Sequence, residues 1–124
     1  MGTLLPIACG SLAVLFAGDA LAHHAYGEYD VNKEVTIRGI VKQFQWTSPH
    51  IWVELMARDP RGKEADWPIE GAGPLVLRQS GWSRNCIKPG DRIEMVIHPR
   101  KDGSSGGSLV TALIHGRYIG ARPA

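Results

Sequence analysis

Cysteine is scarce in this sequence, with only Cys9 and Cys86 among 124 residues. A disulfide-stapled secreted scaffold is therefore excluded, and a hydrophobic core has to hold the fold by itself. Long apolar runs are also missing. Asp19, Pro6 and two glycines interrupt the N-terminal apolar stretch, which falls short of the ~20 apolar residues that span a bilayer. The chain has no Gly-x-Ser-x-Gly elbow, no phosphate-cradling glycine loop followed by a helix, and no recognisable Cys-His pair. His-x-x-x-His and Cys-x-x-Cys spacings are absent as well. These absences argue against an enzyme. Charge of one sign is not clustered: 14 Lys and Arg are interspersed with 12 Asp and Glu. That even mixing excludes the basic stripe of a nucleic-acid-binding face.

Positive charge is missing altogether from residues 1–22, whose single charge is Asp19. Within them, Leu12-Ala13-Val14-Leu15-Phe16-Ala17 forms a short apolar core, and Ala20-Leu21-Ala22 supplies the small-x-small pattern read by signal peptidase. The expectation is a signal peptide at 1–22, cleaved before His23, and a periplasmic or secreted mature chain with no stable membrane span. Met1-Gly2-Thr3 departs from the usual basic start of such a segment. Without Asp19 the mature chain holds 14 positive against 11 negative groups, a net charge of +3 with neutral histidines. Cys86 is its one thiol, expected to be buried and inert.

Residues 23–33 read as a polar arm carrying Tyr26 and Tyr29. From Glu34 to Trp46 the pattern is β: Val35, Ile37, Gly39 and Val41 share one face, and the apolar set then moves to Ile40, Phe44 and Trp46. A change of face within one strand implies a bulge, expected at Gly39. After Thr47-Ser48-Pro49, residues His50 to Ala57 alternate, with Ile51, Val53 and Leu55 inward and His50, Trp52 and Glu54 outward. Asp59-Pro60-Arg61-Gly62 is a hairpin turn. Ala65, Trp67 and Ile69 mark a third strand, which Pro68 restricts to an edge or bulged position. Gly73 to Gly81 reads as a short helix with proline in its first turn and glycine at its C-terminal cap. Ile93, Met95 and Ile97 mark a fourth strand, Asp102 to Ser108 a flexible loop, and Leu109 to Ile114 a fifth strand. Residues 116–124 read as a tail. The whole predicts a mainly β fold, a small five-stranded OB-like barrel over residues 34–115 with a short helix between strands three and four; a small open sandwich is the alternative, and the long, bent first strand favours the barrel.

Several of these segments recur together elsewhere. Ala22-His23-His24, Trp46-Thr47-Ser48-Pro49-His50, Gly81-Trp82 and Ile87-Lys88-Pro89-Gly90-Asp91 resemble a family of short exported bacterial proteins grouped as a domain of unknown function. That resemblance spans nearly the whole mature chain. It implies export and an OB-like fold, and brings no activity or functional residues with it.

The residues that could carry chemistry are histidines and one tryptophan. Cleavage after Ala22 makes His23 the first residue, whose α-amine titrates near ~7.7–8.0. Amine and imidazole Nδ1 together can chelate one metal ion, and a tetragonal nitrogen set favours Cu(II). His24 is adjacent, although neighbouring side chains on an extended arm point apart. His50 opens the second strand and His98 closes the fourth, beside the two loops that border the usual OB binding surface. His23, His24, His50 and His98 are thus the candidate metal ligands, with copper the candidate cofactor. Trp52, outward between inward neighbours, is the candidate ligand-binding platform, whereas Trp46 and Trp82 are expected to plug the barrel. Glu54, Glu70 and Glu94 are expected to be ordinary solvated carboxylates. These features point to a binding module for an unknown small ligand or metal ion. The alternative is an adaptor for a periplasmic protein.

Overall fold

The computed structural model describes residues 27–120. The expected leader, the start of the arm, His23 and His24 lie outside them. The chain order is β1 (Val35–Gln45), β2 (Trp52–Arg58), β3 (Glu64–Glu70), α1 (Pro74–Gln79), β4 (Arg92–Pro99), β5 (Gly107–Ile114) and β6 (Arg117–Ile119). Among the described residues the strands form one sheet in the order β3-β2-β1-β4-β5-β6. A parallel pairing of Ile69 with Gly107 and Glu70 with Ser108 joins β3 to β5 and closes the first five strands into a barrel. With α1 between β3 and β4, this is the OB plan.

Closure depends on β1 serving two neighbours. Its first half, Val35 to Ile40, pairs with β4, and from Gly39 onward it pairs with β2. The register slips between Val41 and Gln43, so Lys42 is the extra residue of a bulge. Ile37 and Val41 are buried before it, and Trp46 is buried after it. The expected change of face is therefore present, but it sits at Lys42 and not at Gly39. Ile40, placed by sequence with the second apolar set, points outward. Gly39 answers a different need. A Cβ there would collide with the Met56 carbonyl oxygen and lie 3.0 Å from Ala57 Cβ, so glycine lets β1 and β2 cross closely.

Strict alternation fills the interior. Ile51, Val53, Leu55, Ile69, Met95 and Ile97 are all essentially inaccessible to solvent. Each such side chain contributes roughly 1.5–3 kcal/mol through burial. Helix α1 adds Leu77 to this core, together with Trp82 and Ile87 that follow it. Trp46 packs edge-on against Phe44, with ring centroids 5.8 Å apart. Arg78 lies over the Trp46 ring, and both expected plug tryptophans, Trp46 and Trp82, are buried in the core cluster. Pro68 pairs with Glu54 of β2, where its missing N–H falls on the side of β3 that is open until Ile69 meets β5.

The C-terminal part departs from expectation in two places. Gly107 and Ser108, read as loop, already belong to β5. Gly107 packs so tightly that a Cβ would come 2.7 Å from Ile97 Cδ1, which is how β5 reaches β3 and β4 at once. Residues 117–119, read as tail, form β6 against Ala112 to Ile114.

Candidate functional site at the barrel seam

The seam where β3 meets β5 collects the polar residues of interest. Glu70 follows the inward Ile69 and therefore faces outward. Its register partners are Trp52 on one side and Ser108 on the other, and Ser108 in turn lies opposite His98. Glu70 and His98 are thus two strands apart on one outer surface, about 10 Å between backbones at the usual strand spacing. His50, in the loop leading to β2, contacts Glu70 through Nδ1 and Oε1.

Glu70 is not the solvated carboxylate that its position on the strand implied. Its side chain is only 12% exposed, and its second oxygen accepts the Tyr29 hydroxyl at 2.7 Å. Tyr29 comes from the N-terminal arm and is 3% exposed. Burial, reinforced by donation to Glu70, holds its hydroxyl protonated well above the ordinary tyrosine range. The arm is anchored along the end of β4: Tyr29 bridges to Arg100, Asp30 N–H donates to the Pro99 carbonyl at 2.8 Å, and Lys101 N–H donates to the Glu28 carbonyl at 2.9 Å. From residue 28 onward the arm is a strap across the seam.

The same strap orients His98, whose Nδ1 lies 2.8 Å from the Lys33 carbonyl. A carbonyl can only accept, so Nδ1 carries the hydrogen and the neutral ring keeps its lone pair on Nε2. A carboxylate acceptor at Nδ1 favours the same tautomer for His50. Donation of one ring N–H to a carboxylate or carbonyl is the usual outer-shell arrangement of metal-ligating histidines. Even so, no cluster of three or more His, Cys, Asp or Glu arranged to hold a metal is present among the described residues.

Of the remaining candidates, Trp52 stands opposite Glu70 in the β2–β3 register and so borders this cluster. Trp52 is half-buried on the outer face and lines a small cavity of about 160 Å³ with Gln43, Gln45, Glu54 and Pro68. His115 is largely exposed, 4.0 Å from Asp91. Cys86 is partly buried, and burial pushes its thiol above the ordinary range, as expected of an unreactive sulfhydryl. Among the described residues, no helix is long and apolar enough to cross a membrane.

Sequence alone missed Glu70 and Tyr29. The parity of β3 placed Glu70 outward, but only the parallel closure to β5 and the strap of the arm convert that outward position into a covered one. Tyr29 in a polar arm was the available signal, because an aromatic there needs a surface to cover.

Comparison with known proteins gives a family. Residues 12–110 match a family described as "Family of unknown function (DUF6152)". The chain belongs to this family. No curated protein matches it. Among solved structures it is similar to the mitochondrial single-stranded DNA binding protein Rim1 from S. cerevisiae. Identity is 14% and the TM-score 0.49, over 67% of this chain and 94% of that one. At that level the likeness carries no argument about ligands. For this DUF6152 member the OB plan rests on its own strand order and closure.

Proposed function

We propose that this protein is a non-enzymatic exported binding module, periplasmic or secreted, that holds Cu(II) at the barrel seam. The signal peptide of residues 1–22 is removed in this reading. His23 then supplies its α-amine and imidazole, His50 supplies a third nitrogen, and His98 or His24 assists. The observation that carries the proposal is the Tyr29–Glu70–His50 chain of hydrogen bonds. It ties the arm to a histidine whose Nδ1 is held by a part-buried carboxylate. His23 precedes Tyr29 by six residues, a reach of at most about 20 Å, and His24 by five. Both are within chain length of the seam. The Nδ1–H tautomers of His50 and His98 favour Nε2 as the ligating atom of those two rings, beside Nδ1 of His23.

The test is copper titration of protein processed in cells, followed by electron paramagnetic resonance. His50→Ala is expected to weaken binding and alter the nitrogen hyperfine pattern, since loss of a ligand or its outer-shell partner costs about 10–100-fold. Unchanged affinity and spectrum in His50→Ala would refute the assignment of His50.

A second reading, a protein-interaction module, has one observation in its favour. Leu75 is 77% exposed on α1 and Val76 beside it is also open to solvent. Absence of copper binding would favour this reading, with Leu75→Ser then expected to abolish partner capture.

A further inference from the structure

The mouth of the barrel between the β2–β3 turn and the β4–β5 loop holds a second cavity, of about 550 Å³. Its volume falls within the range of small-ligand pockets, which are mostly apolar with a few convergent polar groups. Val35, Pro60, Trp67 and Pro99 supply the apolar wall, and Arg61 and Arg100 the charge. Two donors belonging to its lining residues lack acceptors. Trp67 is 7% exposed, and its indole Nε1–H is buried with no hydrogen-bond partner among the described residues. Arg100 Nε is likewise buried without one. Its nearest anion is Glu28 Oε1 at 3.4 Å, outside hydrogen-bond geometry.

A buried donor with no acceptor is costly, and native structures rarely tolerate one without a reason. Two of the nearby acceptors are committed. Asp59 also lines the cavity, but its Oδ1 accepts the backbone N–H groups of Arg61 and Lys63, each at 2.9 Å. The Ser105 carbonyl accepts Arg100 Nη1 at 3.2 Å. The lining carries two guanidinium groups, Arg61 and Arg100, against the one carboxylate of Asp59, so it is net positive, and the unpaired donors of Trp67 and Arg100 call for an acceptor bearing negative charge.

We infer that this mouth is a ligand site for a small apolar carboxylic acid. The acid's carboxylate accepts from Trp67 Nε1–H and the Arg100 guanidinium, and its hydrocarbon body lies against Val35, Pro60 and Pro99. Glu28 is then a competitor for Arg100 that the ligand displaces. This site shares the strap with the seam, through Glu28 and Arg100, but none of its residues is a proposed copper ligand, and it does not depend on where the leader is cut.

The experiment uses the full chain labelled with nitrogen-15, with hexanoate as probe and hexanamide as its uncharged control. Trp67→Phe identifies the Trp67 indole resonance among the four tryptophans. Hexanoate is expected to shift that resonance saturably, and hexanamide to leave it in place. Arg100→Gln should weaken hexanoate binding about tenfold or more, the usual worth of a charge-assisted hydrogen bond. Glu28→Gln, which removes the competitor and cannot act by mere unfolding, should tighten it. A Trp67 resonance that does not respond to hexanoate overturns the inference. So does an equal response to the amide, or a Glu28→Gln protein that binds no better.

Discussion

Replacing Tyr29 with phenylalanine isolates one hydrogen bond, because the ring and its burial are kept and only the hydroxyl is lost. That hydroxyl donates to Glu70 Oε2 at 2.7 Å, in a site where Tyr29 is buried and Glu70 nearly so. A hydrogen bond to a charged partner is worth about 1.5–3 kcal/mol. The variant leaves Glu70 with His50 but without its second donor, so a loss of about 2 kcal/mol at neutral pH is expected. For a domain of this size that corresponds to a melting point lower by roughly 8–16 °C. The pH dependence is signed. The tyrosine released on unfolding ionises near pH ~10, while the native hydroxyl stays protonated above that range. Above pH ~10 the unfolded state therefore binds fewer protons than the native one, and stability falls as pH rises, by up to ~1.4 kcal/mol per unit. Phenylalanine has nothing to titrate. Urea denaturation of both proteins between about pH 8 and 11 should give a stability gap that is constant at first and shrinks above pH ~10. A gap below about 0.5 kcal/mol at neutral pH, or one that does not change with alkalinity, would refute the reasoning.

Three further outcomes follow from the packing. Gly39→Ala drives a methyl into the Met56 carbonyl and should cost about 1–3 kcal/mol in denaturant melts, whereas the exposed Gly62 region tolerates changes that keep its turn. Met95→Ala opens a cavity at a fully buried position and should cost about 2–5 kcal/mol by the same assay. Cys86, whose thiol is raised by burial, should react with a disulfide reagent at pH ~8 about tenfold more slowly in the native protein than in urea; equal rates would place it at the surface.

Much of the barrel was legible because period-two alternation survives in β2, β3 and β4. Ile51, Val53 and Leu55, then Ile93, Met95 and Ile97, follow the pleat without a break. Proline at the start of α1 and glycine after it marked the helix for equally local reasons. The bulge was legible as a change of face, but its place was not. Gly39 looks like a kink residue, yet its missing side chain serves a close strand crossing, and Lys42 absorbs the extra residue. Gly107 and Ser108 resemble a loop because their strand role depends on two partners distant in sequence. The candidate site divides in the same way. His50 and His98 were readable as outward histidines beside loops, while the hydrogen bonds that set their tautomers come from Glu70 and from the strap at Lys33. No local pattern announces a contact across 20 residues of sequence, or 65.

In the proposed function the cut before His23 creates a copper chelate on the seam, and a comparison of two N-termini puts this to the test. Protein processed in cells, its first residue confirmed as His23 by intact mass, is titrated with Cu(II) beside an otherwise identical protein carrying one extra N-terminal alanine. The amine of the extended chain belongs to the wrong residue, so most of the affinity and the nitrogen-rich paramagnetic signature should be lost. Equal binding by the two proteins, or a secreted chain that begins at another residue, would contradict the account.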